Sequence, residues 1–151
     1  MDVLKIGLVG VGGMGSVHYH NFKEIEGCAV TAVVGSSQRV RDTAAGWGLP
    51  CYPSISEMVA NEDIDIVDIC TPTFTHHDLV MESLKCKKHT ICEKPIALSF
   101  NDAKEMLDEK DNLSPFSIEI EFTAAGAKDL DEINQAVLDS AMYLREQGFE
   151  F

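Results

Sequence analysis

The chain has 151 residues, 45% of them hydrophobic and 25% charged, which is enough for one domain with a real core and short for a two-domain enzyme. Its formal charge of −13 would repel a phosphate polymer or an anionic lipid surface, so neither nucleic acid nor membrane is expected as a partner, while local N–H groups and a few Arg or Lys can still hold a small anionic cofactor. Met1-Asp2-Val3-Leu4-Lys5 runs straight into a strand pattern with no signal peptide, and no apolar stretch reaches the roughly 18 residues of a membrane span, so a cytoplasmic location is expected.

Lys5-Ile6-Gly7-Leu8-Val9 reads as an apolar strand that breaks into Gly10-Val11-Gly12-Gly13-Met14-Gly15 and resumes as a helix over about 16–25. Glycines spaced G-x-G-x-x-G between strand and helix suit a dinucleotide pyrophosphate. Gly10 allows the tight turn, Gly12 lets the backbone approach the phosphates, and Gly15 lets the helix pack close, while free N–H groups of the turn, which also holds Gly13 and Met14, face the anion. A glycine-rich turn without a ligand is the alternative. His18 and His20 sit two apart on this helix, so they point to different faces and neither has an i, i+4 partner. They read as polar surface or cleft-wall residues rather than metal ligands.

Ala29–Val34 is the second strand, rich in β-branched residues. An acid about 20 residues beyond the glycines would accept the ribose hydroxyls of NAD. That place holds Gly35, followed by Ser36, Ser37, Gln38 and Arg39. Small hydroxyl residues with an Arg behind them suit a 2′-phosphate, so NADP(H) is favoured over NAD(H). Two readings stay open: Ser36 and Ser37 simply cap the next helix, or cofactor use is relaxed.

A second helix over 39–47 stops at Gly48, with Pro50 beyond. Cys51-Tyr52 is a short extended piece, and Ser54-Ile55-Ser56-Glu57 has capping-box spacing for a helix to about Asn61. Residues 64–70 form a strand ending in Thr71-Pro72-Thr73, where Pro72 takes the chain out of the sheet. His76 to Lys85 is a helix, and Thr90-Ile91-Cys92 a strand that runs into Glu93-Lys94-Pro95. Ser99 caps a helix over 101–110. Strand and helix alternate throughout, which predicts an α/β domain in three layers with a doubly wound parallel sheet. The five cysteines form no C-x-x-C pair and read as free thiols, those at 70 and 92 as small buried hydrophobes. No His, Cys and carboxylate set shows metal-ligand spacing.

The glycine turn, Thr71-Pro72-Thr73 with His76 behind it, and Glu93-Lys94-Pro95 together resemble the glucose-fructose oxidoreductase, inositol dehydrogenase and MocA-like family of NAD(P)-dependent oxidoreductases, over residues 1 to about 110. The resemblance implies that these stretches belong to an N-terminal Rossmann domain. It implies that Thr71, Pro72 and Thr73 line the ribose and nicotinamide side of the cofactor, and that Lys94 sits beside the nicotinamide and the reacting oxygen as the catalytic lysine. Glu93 would orient Lys94 or contact the cofactor, His76 would contact cofactor or substrate, and Pro95 would fix the turn, with a cis bond as one option. His77 is taken as surface.

The resemblance stops near Asn112. Residues 113–151 leave too little chain for the family's second, substrate-binding domain, which is expected to be absent. From 111 onward there are nine acids against Lys128 and Arg145, and the pattern is one strand, Ser117–Phe122, and one helix over about 129–147 with Leu130, Ile133, Val137, Ala141 and Leu144 as its apolar stripe. This acidic unit is expected to extend the same sheet, whether as a truncated family member or as a replacement. Three functions follow: an oxidoreductase-type domain acting on a sugar-like, polyol or carbonyl substrate, a truncated or engineered dinucleotide-binding module without catalysis, and a structural domain with an empty cleft. Self-association through the sheet edge or the last helix is a further option.

Overall fold

The computed structural model describes residues 3–112 and 118–120. Six parallel strands form one sheet: β1 (Leu4–Val9), β2 (Cys28–Val34), β3 (Cys51–Tyr52), β4 (Ile66–Ile69), β5 (His89–Cys92) and β6 (Ile118–Ile120). Their order is β3-β2-β1-β4-β5-β6, so the winding reverses between β1 and β4 and opens a crevice at the carboxyl ends of these strands. Leu8 of β1 stands beside Val33 on one side and Asp68 on the other. The crossover helices are α1 (Gly13–Lys23), α2 (Gln38–Trp47), α3 (Ile55–Asn61), α4 (His76–Lys85) and α5 (Phe100–Asn112).

Both faces of the sheet are covered, and the period of two along each strand divides the core. Val9, Ala32, Val34, Val67, Ile69 and Cys92 pack with Ile55 and Met58 of α3, Val80 and Leu84 of α4 and Met106 of α5. Leu8, Val33 and Cys70 pack the other way, with Tyr19 of α1 and Ala44 of α2. Each fully buried Leu or Ile here is worth about 1.5–3 kcal/mol of transfer free energy. Between α1 and α2, Tyr19 stacks on Trp47 with centroids 3.9 Å apart.

The expected caps are present. Ser37 Oγ accepts from the Val40 N–H, Ser54 Oγ from Glu57 and Ser99 Oγ from Asp102. One boundary differs in an informative way: α1 begins at Gly13 rather than at Ser16, with Gly12 as its N-cap. Gly13, Met14 and Gly15 are therefore the first turn of the helix. The strand expected over Ser117–Phe122 is present as β6, parallel to β5, while the helix expected over about 129–147 and its stripe lie outside the described residues. No helix among the described residues is long and apolar enough to cross a membrane.

Two glycines set how α1 meets the sheet. Gly10 adopts φ +88°, a left-handed backbone that costs most side chains about 1–2 kcal/mol. A Cβ on Gly15 would stand 2.0 Å from the Gly10 carbonyl oxygen, a backbone atom that cannot step aside. Gly15→Ala is expected to cost about 1–3 kcal/mol, read as a lower urea midpoint with an unchanged slope. An unchanged midpoint would show that α1 can shift away from β1.

Candidate functional site

Three regions, built from the turns after β1, β2, β4 and β5, line the crevice. The first follows β1. Gly12 supplies no side-chain cap to α1, so the first N–H groups of the helix are left to an outside acceptor. A Cβ at Gly12 or Gly13 would meet nothing within 4 Å. The bare backbone thus offers N–H donors in open space at the positive end of an 11-residue helix, which is the geometry an anionic pyrophosphate needs. Met14 is the exposed side chain of this turn.

The second region follows β2. A Cβ on Gly35 would come within 2.7 Å of Val40 Cγ1, so a carboxylate-bearing residue could enter only by displacing α2. Ser37 is engaged as the α2 cap. Arg39 is exposed, and Arg41, which sequence spacing did not single out, bends back so that its guanidinium donates to the Ser36 carbonyl and to Gln38 Oε1. Arg41 is therefore held against Ser36.

The third region joins the turns after β4 and β5. Thr71 and Thr75 are hydrogen-bonded through their hydroxyls, 2.7 Å apart, and the Thr75 hydroxyl also lies 2.7 Å from the Pro72 carbonyl. Thr73 to Thr75 form a single 3-10 turn leading into α4. His76, expected at cofactor or substrate, is instead fully buried. Its Nδ1 lies 2.9 Å from the Pro95 carbonyl and its Nε2 2.8 Å from the Thr71 carbonyl. Each ring nitrogen thus faces a backbone carbonyl, of which a ring with one N–H can donate to one, and the residue sits between the two turns. Next to it, half-buried His77 reaches Asp78 and Glu105 and links α4 to α5. The hydrogen bond to Asp78 is the main cause holding its pKa above the ordinary histidine value.

The Lys94–Pro95 bond is cis. Lys94 is exposed, whereas Glu93 is buried and folds back so that its Oε2 accepts from the Lys94 N–H at 3.1 Å. Its other oxygen lies 3.1 Å from His18 Nε2, and His18 Nδ1 lies 2.8 Å from Oδ2 of the fully buried Asp68. This Asp68–His18–Glu93 chain was not anticipated from spacing, because its members come from α1, β4 and the turn after β5. One signal was available: an acid in the middle of Ile66-Val67-Asp68-Ile69 of a parallel strand must have a buried partner. The hydrogen bond to Asp68 is the leading cause that raises the His18 pKa, against desolvation, with Glu93 adding to it.

Cys70 Sγ lies 3.3 Å from His18 Nδ1 and 3.7 Å from both Asp68 carboxylate oxygens, so Cys70 joins the hydrogen-bonded cluster around His18. Burial, with Asp68 and Glu93 next, holds the Cys70 thiol far above its usual range and pushes that of Cys92 up to about 12. Both are neutral S–H groups at physiological pH, as small buried hydrophobes should be.

A family model described as the oxidoreductase family with an NAD-binding Rossmann fold matches residues 4–114. The chain belongs to this family. It is 32% identical over 108 residues to a myo-inositol 2-dehydrogenase of Thermotoga maritima, covering 70% of this chain and 32% of that protein. An NAD-binding protein of Listeria innocua superposes with a TM-score of 0.72 at 30% identity, over 78% of this chain and 35% of the other. An oxidoreductase of Agrobacterium radiobacter solved with NAD+, L-tartaric acid and magnesium gives 0.72 at 28% identity, over 78% and 35%. The chain spans about a third of the length of these family members.

Removing the imidazole would strand the Asp68 carboxylate in the core. His18→Ala is therefore expected to cost about 3 kcal/mol near pH 6. Because the folded His18 pKa is raised, its contribution is complete below the unfolded value of about 6.5 and fades as pH rises through the folded value. Urea denaturation of wild type and variant at pH 6 and pH 9.5 should show the gap between them narrowing at the higher pH; a constant gap would mean that the proton contributes nothing.

Proposed function

We propose that this segment binds a nicotinamide dinucleotide across the crevice and serves hydride transfer to or from a sugar-like polyol or the corresponding carbonyl compound. The observation that carries the binding claim is the open N–H cradle of Gly12 and Gly13, with Gly10 and Gly15 bringing α1 against β1. In this reading the pyrophosphate lies over Gly10 to Gly15, the adenosine ribose beside Gly35-Ser36-Ser37, and the nicotinamide between Thr71-Pro72-Thr73 and Glu93-Lys94. When bound there, the nicotinamide would supply or accept the hydride. Lys94 hydrogen-bonds the reacting oxygen and assists its proton transfer, and Glu93, bonded to the Lys94 N–H, orients it. His76 positions the Thr71 and Pro95 turns from behind. The polyol class rests on the inositol dehydrogenase among the relatives. Binding is the primary claim, since turnover also needs a walled, water-excluding substrate site.

For cofactor choice the turn after β2 supports NADP(H) ahead of NAD(H). Gly35 leaves no carboxylate to repel a 2′-phosphate, and Arg39 and Arg41 can turn towards one. An unselective site is the competing reading, since Ser37 is already in use as a cap.

Titration calorimetry with NADH and NADPH tests both claims. Wild type is expected to bind at least one of them with Kd in the range of about 1–100 μM, and Gly12→Val, which places a side chain in the cradle, should weaken binding by at least about tenfold. No heat with either nucleotide from a folded wild-type chain would sink the cofactor reading. The double variant Arg39→Ala/Arg41→Ala should weaken NADPH by about tenfold while leaving NADH within about twofold. Equal losses for the two nucleotides would remove the 2′-phosphate assignment.

A further inference from the structure

The turn that carries Lys94 is gripped from two directions. On the α4 side, His76 holds the Pro95 carbonyl. On the α1 side, His18 holds Glu93, whose second oxygen accepts from the Lys94 N–H. The two grips differ in the charge of their acceptors: neutral carbonyls at His76, carboxylates at His18. A neutral imidazole has one N–H, yet His18 faces a carboxylate oxygen at each nitrogen, at 2.8 and 3.1 Å. Carboxylates only accept, so both contacts are hydrogen bonds only when the ring carries two protons. With one proton, the N–H goes to the shorter contact, with fully buried Asp68, and the Nε2 lone pair then points at the Glu93 carboxylate and repels it.

Resting on the reading that this turn lines the nicotinamide end of the crevice, we propose that His18 is a proton-dependent positioning residue for Lys94. Its doubly protonated ring bridges Asp68 and Glu93 and so fixes the turn from which the Lys94 side chain leaves. The groups facing the ring are Asp68 from β4, Cys70 just beyond its end, Glu93 from the turn after β5, and the Phe22 ring of α1 itself, set at right angles to it. Cys70 and nearby Cys92 stay neutral, so the two carboxylates are the charges that His18 answers. The His18 side chain keeps 16% exposure, which gives its proton a route to water. Asp68 and Glu93 have matched strand register to bring them to one face: Asp68 pairs with Ile91, and Glu93 lies two residues further along the chain.

Deprotonation would release Glu93, loosen the Lys94 N–H contact and lower affinity for the dinucleotide on the alkaline side. The bond to Asp68 places the transition above the ordinary histidine range.

Nuclear magnetic resonance on the 15N-labelled chain, without nucleotide, tests the link directly. The Lys94 amide is expected to shift with the same midpoint as the His18 ring nitrogens. In Glu93→Gln the His18 midpoint should fall and the Lys94 excursion should vanish, and in His18→Gln the Lys94 amide should be flat from pH 6 to 10 while the remaining amides show a folded chain. Asp68→Asn, which keeps a hydrogen-bonding side chain, should lower both midpoints together. A Lys94 amide that ignores the His18 titration in wild type, or a His18 midpoint unmoved by Glu93→Gln, overturns the proposal. In a second arm, NADH affinity in wild type should fall at least about threefold across the midpoint and be pH-flat in Glu93→Gln; a pH-flat wild type also overturns it. A folded wild type that binds no nucleotide at any pH sinks the cofactor reading instead, and the resonances then decide the His18 link by themselves.

Discussion

The site depends on one close approach, that of α1 to the end of β1. With a Gly15 Cβ position only 2.0 Å from the Gly10 carbonyl oxygen, no side chain can stand between the start of α1 and the end of β1. Two consequences follow from the same contact. The helix N-terminus opens at the switch point between β1 and β4, where the strand order reverses. One turn further along, His18 is brought down onto the face of the sheet that carries Asp68 and Cys70. A helix held a side chain's width further out would still point its dipole at the crevice, but it would leave Asp68 buried without its counter-ion.

That second consequence explains why a charge is tolerated inside a parallel strand. Val67 and Ile69 face α3, α4 and α5 and belong to the apolar core, while Asp68 faces α1. An unpaired carboxylate there would cost several kcal/mol in desolvation. His18 answers it, and the ring's second nitrogen carries the network on to Glu93. Such a pair does not make the fold more stable than a well-packed apolar one would be. What it contributes is a specific placement of Glu93, and through Glu93 of the Lys94 backbone.

The fold was legible in the sequence because its signals are local. Glycine spacing after β1, serine caps at 37, 54 and 99, and Gly48 and Pro72 at element ends each act within a few residues, and the structure repeats them nearly to the boundary. The glycine turn was read correctly as a turn and only misplaced relative to the helix start, since Gly12 caps α1 with backbone rather than with a side chain. The partnerships of the histidines were not legible. His18 meets groups 50 and 75 residues away, and no periodicity in α1 marks it apart from His20, which stays exposed beside Tyr19 and Trp47. The resemblance places His76 behind Thr71-Pro72-Thr73, and no local pattern marks that its ring turns inward between the Thr71 and Pro95 carbonyls.

The two histidines differ in burial and in the acceptors they face. His76 is fully buried between the carbonyls of Thr71 and Pro95 and sits between the two turns. His18 is partly open to water and faces two carboxylates, so the strength of its hold varies with its charge. Both act on the Glu93-Lys94-Pro95 turn, one at each end. Lys94 itself is exposed and flexible by nature, with a long stem and a single point charge. Its placement therefore has to come from the backbone beneath it, and that backbone is what the two rings secure.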